Sequence, residues 1–334
     1  MPIREIRIRQ FGSANKLEMT ESSSSRVLES TEVLVKTAYS GLNFADVQMR
    51  LGFYPDAPKR PFVPGYEISG YVQEVGEEVR DIAPGDPVIA ATRFGGYASL
   101  VRVPQEQVFP LPSGVDLKAG AALPINFITS HIALFEMARI RSGDRVLIEC
   151  ATGGVGTLAM QMARECGAKV VGLTSSPHKK DYIASYGAES MTSEEFYAMD
   201  DLGKFDLILN SSGGVFIKRQ LPYLSITGRM VCLGISSGVD NGKRNIFKML
   251  HAAIRTPRIP VLRMFDPNIG VFGLNGLRVL EDSSWKSKMR EVVLSTSFEN
   301  IRPHVDEVFK AENVVQAHRY LESKQAIGKV LLGW

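Results

Sequence analysis

The sequence predicts an α/β protein in which a doubly wound parallel sheet follows a β-rich domain. From Arg145 onward, strand patterns alternate with helix patterns, as in parallel sheets that carry helices on both faces. A glycine-rich turn joins the first of these strands to the first of these helices. The first third of the chain instead carries short β patterns separated by Gly and Pro. At 334 residues the chain is long enough for two domains.

The first third reads as a barrel-like β domain, with strands expected over residues 32–38, 67–75 and 86–91. Ala-rich helical sequence begins near Ala119 and leads into the alternating region. The tail returns to a mixed pattern. A strand region is expected over 301–309, a helix face at Val314, Ala317, His318 and Leu321, and a closing strand over 329–332. The simplest assembly folds this tail onto the first domain and leaves a cleft between the two domains.

The glycine-rich turn spans Ala151–Gly156 and follows the apolar run Arg145–Cys150. Strand, glycine turn and helix form the geometry that places a diphosphate on a helix N-terminus. Taken alone, the turn is equally consistent with a tight connection that binds nothing, since Ala151 replaces the first glycine of the usual pattern. Further strand candidates follow at 169–174, 205–210 and 229–234. This βαβ context favours a dinucleotide site.

The end of the second strand indicates which dinucleotide binds. A site for NADH usually has an acidic residue there that holds the ribose hydroxyls. Residues 173–180 contain no acid, whereas Ser175, Ser176 and Lys179 or Lys180 could bind a 2′-phosphate. The sequence therefore predicts NADPH as the cofactor. The alternative is an ordinary solvated turn with two surface lysines.

Composition excludes several classes. The net charge of +3 gives little support for nucleic-acid binding. No run reaches the length of a membrane span or of a signal-peptide core. Cys150, Cys166 and Cys232 lie in apolar runs, which predicts buried, reduced thiols in a reducing compartment such as the cytoplasm. None has CxxC spacing, so we expect no structural zinc lobe.

One segment departs from the even mix of charges. Residues 243–263 contain six basic residues and no acidic residue, with apolar residues between them. A basic amphipathic helix on a membrane surface is one interpretation. A solvated or dimer-side helix is the favoured one, because Pro257 and Pro260 interrupt the segment.

An ordered series of motifs extends over almost the whole chain. It comprises GLNFAD (41–46), GFYP (52–55), PFVPG (61–65), PGD (84–86), GGYA (95–98), ATGGVG (151–156) and GKVLL (328–332). With these motifs the chain resembles the zinc-free medium-chain dehydrogenase/reductase superfamily, in its quinone oxidoreductase branch. Residues 125–129, 242–246, 271–274 and 301–305 look like its vesicle-amine-transport subgroup. The resemblance implies a GroES-like catalytic domain (1–125 with 275–334) and an NADP-binding Rossmann domain (126–274).

Zinc-dependent relatives place a ligand histidine where this chain has Tyr66. A tyrosine cannot replace that imidazole, and the five histidines have no metal-ligand spacing. We therefore expect no bound metal. Without zinc, a conjugated carbonyl is the suitable acceptor, since it takes hydride at carbon while hydrogen bonds stabilise its oxygen.

The resemblance implies a set of site residues. Asn43 would donate to the nicotinamide carboxamide or to the developing oxyanion. Tyr54 is the candidate donor to the substrate oxygen, although it could simply pack over the cleft, and Asp46 would fix the local structure. The implied cofactor-binding residues are Asn43, Thr129, His131, Gly153, Gly154, Val155, Gly156, Ser175, Ser176, Lys179, Ser211, Gly234, Ile235, Phe272, Leu274, Lys324 and Lys329.

The expected activity is NADPH-dependent reduction of a quinone or an α,β-unsaturated carbonyl compound. The alternative is a non-enzymatic NADPH-binding adaptor or membrane-associated protein that uses the basic 243–263 segment. Single-strand nucleic-acid binding is a weaker option. The resemblance also implies a homodimer, in which the sheet-edge strand near Val271–Leu274 pairs with its symmetry mate.

Overall fold

The computed structural model describes residues 2–23, 27–199, 201–236, 245–279 and 281–334, without the side chains of 248, 249, 252 and 253. Lys243 and Arg244 of the basic segment lie outside this description. The described chain forms two compact units. The first comprises Met1–Ile128 and Gly276–Trp334, and the second comprises Thr129–Asp240 and Asn245–Asn275, as far as each is described.

Strands and helices alternate along much of the described chain. The strands, in chain order, are β1 (Ile3–Ile8), β2 (Leu17–Ser22), β3 (Glu32–Gly41), β4 (Glu67–Val75), β5 (Pro87–Ala91), β6 (Leu100–Pro104), β7 (Val108–Pro110), β8 (Arg145–Ile148), β9 (Lys169–Thr174), β10 (Glu189–Thr192), β11 (Phe205–Asn210), β12 (Leu224–Cys232), β13 (Gly270–Gly273), β14 (Val305–Lys310) and β15 (Lys329–Gly333). The helices are α1 (Phe44–Leu51), α2 (Leu117–Ala121), α3 (Pro124–His131), α4 (Gly154–Glu165), α5 (Lys180–Ser185), α6 (Ser193–Ala198), α7 (Val215–Gln220), α8 (Ile246–Ile254), α9 (Leu262–Phe265), α10 (Gly276–Val279), α11 (Ser283–Ser295) and α12 (Val314–Glu322).

A mainly antiparallel sheet organises the first unit, in the order β14-β15-β3-β4-β5-β7, with β6 also paired to β3. The alternation along β3 buries Val33 and Val35 on one face. β15 runs antiparallel to β3, with Leu331 opposite Gly41. The tail therefore completes the sheet that the first third begins, as the sequence predicted.

A six-stranded sheet organises the second unit, in the order β10-β9-β8-β11-β12-β13, and every neighbouring pair is parallel. Its central strands β8 and β11 are mostly apolar and buried, as expected for strands covered on both faces. The predicted doubly wound α/β class is confirmed. β10 was not anticipated, because its sequence Glu-Ser-Met-Thr is short and three of its four residues are polar.

β13 lies at one edge of this sheet and pairs with β12 alone among the described strands. The strand expected near Val271–Leu274 is therefore present as Gly270–Gly273. Pairing of this edge with a second copy stays a prediction. No helix among the described residues is long and apolar enough to cross a membrane.

The prediction that all three cysteines are buried is wrong. Cys150 is exposed, and Cys166 and Cys232 are half-buried. Cys150 follows shortly after β8 and takes a φ of 55°, so the chain leaves the sheet at this residue.

Two strands begin at other residues than predicted. The tail strand begins at Val305 rather than Ile301, and β12 begins at Leu224 rather than Arg229.

Candidate active site

The glycine-rich turn lies in the second unit, between β8 and α4. The Ala151 N–H donates to the Leu173 carbonyl at 2.9 Å and so ties the turn to β9. A Cβ at position 156 would overlap the Cys150 carbonyl oxygen and would lie 2.8 Å from the Ala151 Cα. At position 151 the chain already accommodates a fully buried alanine. The geometry thus requires glycine at 156 but not at 151, which explains the missing first glycine.

Helix α4 begins directly after Gly153, which occupies the N-cap position with φ −84° and ψ 172°. Glycine offers no side chain to cap the helix, and the first turn contains no acidic residue. The first N–H groups of a helix lack intrahelical acceptors, and the helix dipole favours negative charge beside them. The backbone of Gly153, Gly154, Val155 and Gly156 therefore fits a diphosphate.

The end of β9 presents the residues predicted to bind a 2′-phosphate. Ser175 is exposed and Ser176 is half-buried. Lys179 ends a 3₁₀ turn with only 3% of its surface exposed. Lys180 instead pairs with Glu195 at 2.9 Å. The alternative of a solvated turn with two surface lysines is therefore wrong for Lys179.

A buried glutamate that the sequence analysis missed organises the loop after β11. Glu149 Oε2 accepts the N–H groups of Ser211 at 3.0 Å and Ser212 at 2.8 Å. Its Oε1 accepts from Gln220 Nε2 at 3.0 Å. Burial raises the pKa of the Glu149 carboxyl, and these hydrogen bonds oppose the rise. The sequence feature that could have revealed Glu149 is an acidic residue directly after the apolar residues of β8.

The other predicted residues of the second unit differ in exposure and in their partners. Ile235 and Phe272 are exposed, and Leu274 is buried with its N–H on the Cys232 carbonyl at 2.9 Å. The His131 Nε2 lies 3.6 Å from Glu136 Oε1, which pairs it within its own helical segment. Gly234 is exposed and Thr129 is half-buried.

In the first unit, the turn that begins α1 contains Asn43 and Asp46. The Asn43 N–H donates to Asp46 Oδ2 at 2.8 Å. Asp46 is fully buried and also accepts from the Tyr97 hydroxyl at 3.1 Å and the Gly65 N–H at 3.2 Å. Burial raises the pKa of the Asp46 carboxyl to about 7, against the hydrogen bonds and the Lys329 charge. These contacts support the predicted role of Asp46 in fixing the turn.

The side-chain amide of Asn43 lies between two charged residues. Its Nδ2 donates to Glu67 Oε1 at 2.9 Å, and its Oδ1 accepts from Lys329 Nζ at 2.7 Å. Lys329 also forms an ion pair with Glu67. Lys329 was predicted to approach the cofactor phosphates; its ammonium is instead buried and committed to Glu67 and Asn43. Lys324, the other predicted tail lysine, is exposed in a left-handed turn after α12.

Two tyrosines lie near this turn. The rings of Tyr54 and Tyr66 pack edge to face, with centroids 6.2 Å apart. Tyr66 is buried, whereas Tyr54 is half-buried. Burial raises the pKa of both phenols above the ordinary value. Both therefore keep their protons near neutral pH and can act as hydrogen-bond donors.

No group of three His, Cys, Asp or Glu side chains could hold a metal ion among the residues that the structure describes. At the position where zinc-dependent relatives have a histidine, the Tyr66 hydroxyl lies 3.9 Å from the Met49 sulfur. A neutral phenol packed against a thioether is a poor ligand for zinc.

Comparison with known proteins gives consistent matches. Residues 29–113 match the alcohol dehydrogenase GroES-like domain, and residues 180–332 match the zinc-binding dehydrogenase domain. The synaptic vesicle membrane protein VAT-1 homolog of Rattus norvegicus is 30% identical over 99% of this chain and 84% of that protein. The quinone oxidoreductase of Lama guanicoe is 28% identical over 99% and 97%. The quinone oxidoreductase of Thermus thermophilus, whose structure was solved also with NADPH, is 28% identical with a TM-score of 0.81, covering 99% of this chain and 100% of that one.

Proposed function

This chain belongs to the medium-chain dehydrogenase/reductase family of oxidoreductases, in the branch of quinone oxidoreductases and VAT-1 homologs, and on this basis we propose that it uses NADPH to reduce a quinone or an α,β-unsaturated carbonyl compound. The observation that carries the proposal is the turn between β8 and α4. It presents uncapped helix N–H groups and requires glycine at position 156.

The second unit supplies the residues that would hold NADPH. The helix α4 N-terminus suits the diphosphate, and Ser175, Ser176 and Lys179 suit the 2′-phosphate. We assign Ser211, Gly234 and Ile235 to the adenosine and ribose. The backbone N–H of Ser211 is held by Glu149. We assign Thr129, His131, Phe272 and Leu274 to the nicotinamide side. The bound cofactor supplies the hydride, and the protein binds and orients it.

The first unit supplies hydrogen-bond donors in place of a metal. When hydride adds to a conjugated carbonyl, its oxygen gains negative charge. The Asn43 amide and the Tyr54 hydroxyl are the donors we propose for that oxygen, and a phenol with a raised pKa holds its proton until charge develops beside it. Asp46 remains buried behind the turn and holds the Asn43 backbone in place.

An acceptor screen tests this function. We expect purified protein to oxidise NADPH when phenanthrenequinone or an alkenal is added, at least about tenfold faster than NADH at equal concentration, because a 2′-phosphate contact contributes on the order of 1–2 kcal/mol. The measurement is loss of cofactor absorbance across quinones, enones and enoyl thioesters. Binding of NADPH without turnover of any acceptor would contradict the proposed activity.

A second candidate function rests on a specific surface. The described apolar side chains of α8 and α9 are largely exposed, with Phe247 at 85% and Leu262 at 80%. Arg255, Arg258 and Arg263 lie within or next to these helices in the chain and are exposed too. Of the two favoured interpretations, a solvated helix does not account for so many exposed apolar side chains, whereas a dimer-side helix would. An apolar face with a basic border suits the surface of an anionic bilayer.

We expect the protein to co-sediment with vesicles that contain phosphatidylserine and to stay in solution with phosphatidylcholine vesicles. Replacing Arg255, Arg258 and Arg263 with alanine should weaken binding by about 100-fold, since each basic residue contributes about 1 kcal/mol at such a surface. Replacing Phe247 and Leu262 with serine should also reduce it. Equal sedimentation with both kinds of vesicle, or none with either, would remove this candidate.

A further inference from the structure

Three elements of the first unit bring Asn43, Glu67 and Lys329 together. Asn43 follows β3, Glu67 is the first residue of β4, and Lys329 is the first residue of β15. β3 lies between the other two strands in the sheet. The exposed fraction is 0% for Glu67 and 2% for Lys329, so this is a built, buried ion pair.

Glycine at position 41 leaves room for the side chains of this ion pair. At Gly41, a Cβ would lie 2.7 Å from the Lys329 Cε and 2.8 Å from the Glu67 Cγ. The φ of Gly41 is not positive, so the backbone conformation does not demand glycine. The two charged side chains, together with the Ala121 carbonyl oxygen at 2.5 Å, therefore occupy the volume that any other residue at position 41 would fill.

The pair determines the orientation of the Asn43 amide. An ammonium can only donate hydrogen bonds, so it must meet Oδ1; an ionised carboxylate can only accept them, so it must meet Nδ2. Rotating the amide by half a turn would place like polarities against each other on both sides. One N–H of Nδ2 is used by Glu67. The other has no acceptor among the described residues, and Asn43 is only half-buried.

We infer that Glu67 and Lys329 are positioning residues that lock the Asn43 amide as a hydrogen-bond donor, and that Lys329 acts through Asn43 rather than on a cofactor phosphate. This inference rests on the proposed function, because only that function supplies an acceptor for the second Asn43 N–H, namely the nicotinamide carboxamide or the oxygen of the substrate. Lys329 and Glu67 form an ion pair in a buried position, where either charge without its partner would be costly.

A binding experiment separates the two roles of Lys329. Titration calorimetry would compare wild type and Lys329→Met with 2′-phospho-ADP-ribose, which has all the phosphates of NADPH but no nicotinamide. We expect the affinities to agree within about twofold. A loss of about tenfold or more, growing at low salt, would show a phosphate contact and overturn the inference. Lys310→Met, which removes an exposed lysine from the neighbouring strand β14, is the matched control.

Turnover provides the second arm. With phenanthrenequinone, Lys329→Met should lower kcat by about 100-fold, the cost of a donor displaced by about 1 Å. In the Asn43→Ala background the same change should add little, because the residue through which it acts is already missing. Additive losses would contradict the inference. If wild type turns over no acceptor, the proposed function has failed, while the calorimetric comparison still decides the role of Lys329.

An unpaired buried carboxylate could prevent Lys329→Met from folding. The double variant Glu67→Gln with Lys329→Met keeps the site uncharged and retains an amide beside Asn43, so we expect it to fold and to show the same unchanged affinity for 2′-phospho-ADP-ribose. Lys329→Arg should restore part of kcat, because it keeps the charge next to Glu67. Thermal unfolding of each variant distinguishes a loss of turnover from a loss of folded structure.

Discussion

Replacing Gly156 with alanine is expected to weaken NADPH binding by about 100-fold, because the turn that would hold the diphosphate must shift by about 1 Å. The new Cβ would meet backbone atoms on two sides, namely the Cys150 carbonyl oxygen and the Ala151 Cα. Backbone atoms cannot rotate away as the end of a flexible side chain can. Titration calorimetry with NADPH measures the change.

Gly333→Ala is the control for this substitution. At Gly333 the nearest atom to a new Cβ is the Tyr39 ring at 3.6 Å, which is ordinary van der Waals contact. That variant should bind NADPH like wild type. If Gly156→Ala also bound like wild type, the turn between β8 and α4 would not be the diphosphate site.

Asp46 is expected to make the stability of the protein fall as pH rises. The pKa of its carboxyl is 3.8 in an ordinary environment and about 7 in the folded protein, because burial disfavours the charged form. Between these values the folded protein keeps the proton and the unfolded chain has released it. The contribution is therefore complete below about pH 4 and is lost as pH rises through about 7.

The size of this effect follows from the shift. At about 1.4 kcal/mol for each pH unit, the stability of wild type relative to Asp46→Asn should fall by roughly 4 kcal/mol from the lower pKa to the upper one. Urea unfolding across this pH range measures the difference. Asp116→Asn is the matched control, since that carboxylate caps α2 and asparagine caps equally well. A difference between wild type and Asp46→Asn that stayed constant with pH would contradict the expected titration.

Sequence patterns were sufficient for the central strands of the second sheet. Long apolar runs such as 145–150 and 205–210 require burial on both faces, and a run of that kind is visible without knowing its neighbours. β10 escaped detection because its four residues contain two hydroxyl side chains. Position 151 was more difficult still: alanine fits there because Gly172 in β9 has no side chain, and a Cβ at 172 would lie 2.9 Å from the Ala151 Cβ.

The buried contacts of Asn43, Glu67 and Lys329 in the first unit could not be predicted from local sequence patterns. Lys329 and Asn43 are 286 positions apart, and no local pattern connects them. The family resemblance implied that Lys329 approaches a cofactor phosphate, whereas the sheet order gives it a carboxylate partner instead. Glu149 was missed for the same reason, since its partners lie in a loop more than 60 positions away.

The order of strands in the first sheet has a consequence for biosynthesis. β15 pairs with β3 across at least 290 positions, as Leu331 opposite Gly41 shows, whereas all six strands of the second sheet lie between Arg145 and Gly273. During translation, every strand of the second sheet emerges from the ribosome before β15 does. In the nascent first unit, β6 can already pair with residues 32–36 of β3, but residues 39–41 must wait for β15 with their edge open, and such an open edge can pair with another chain.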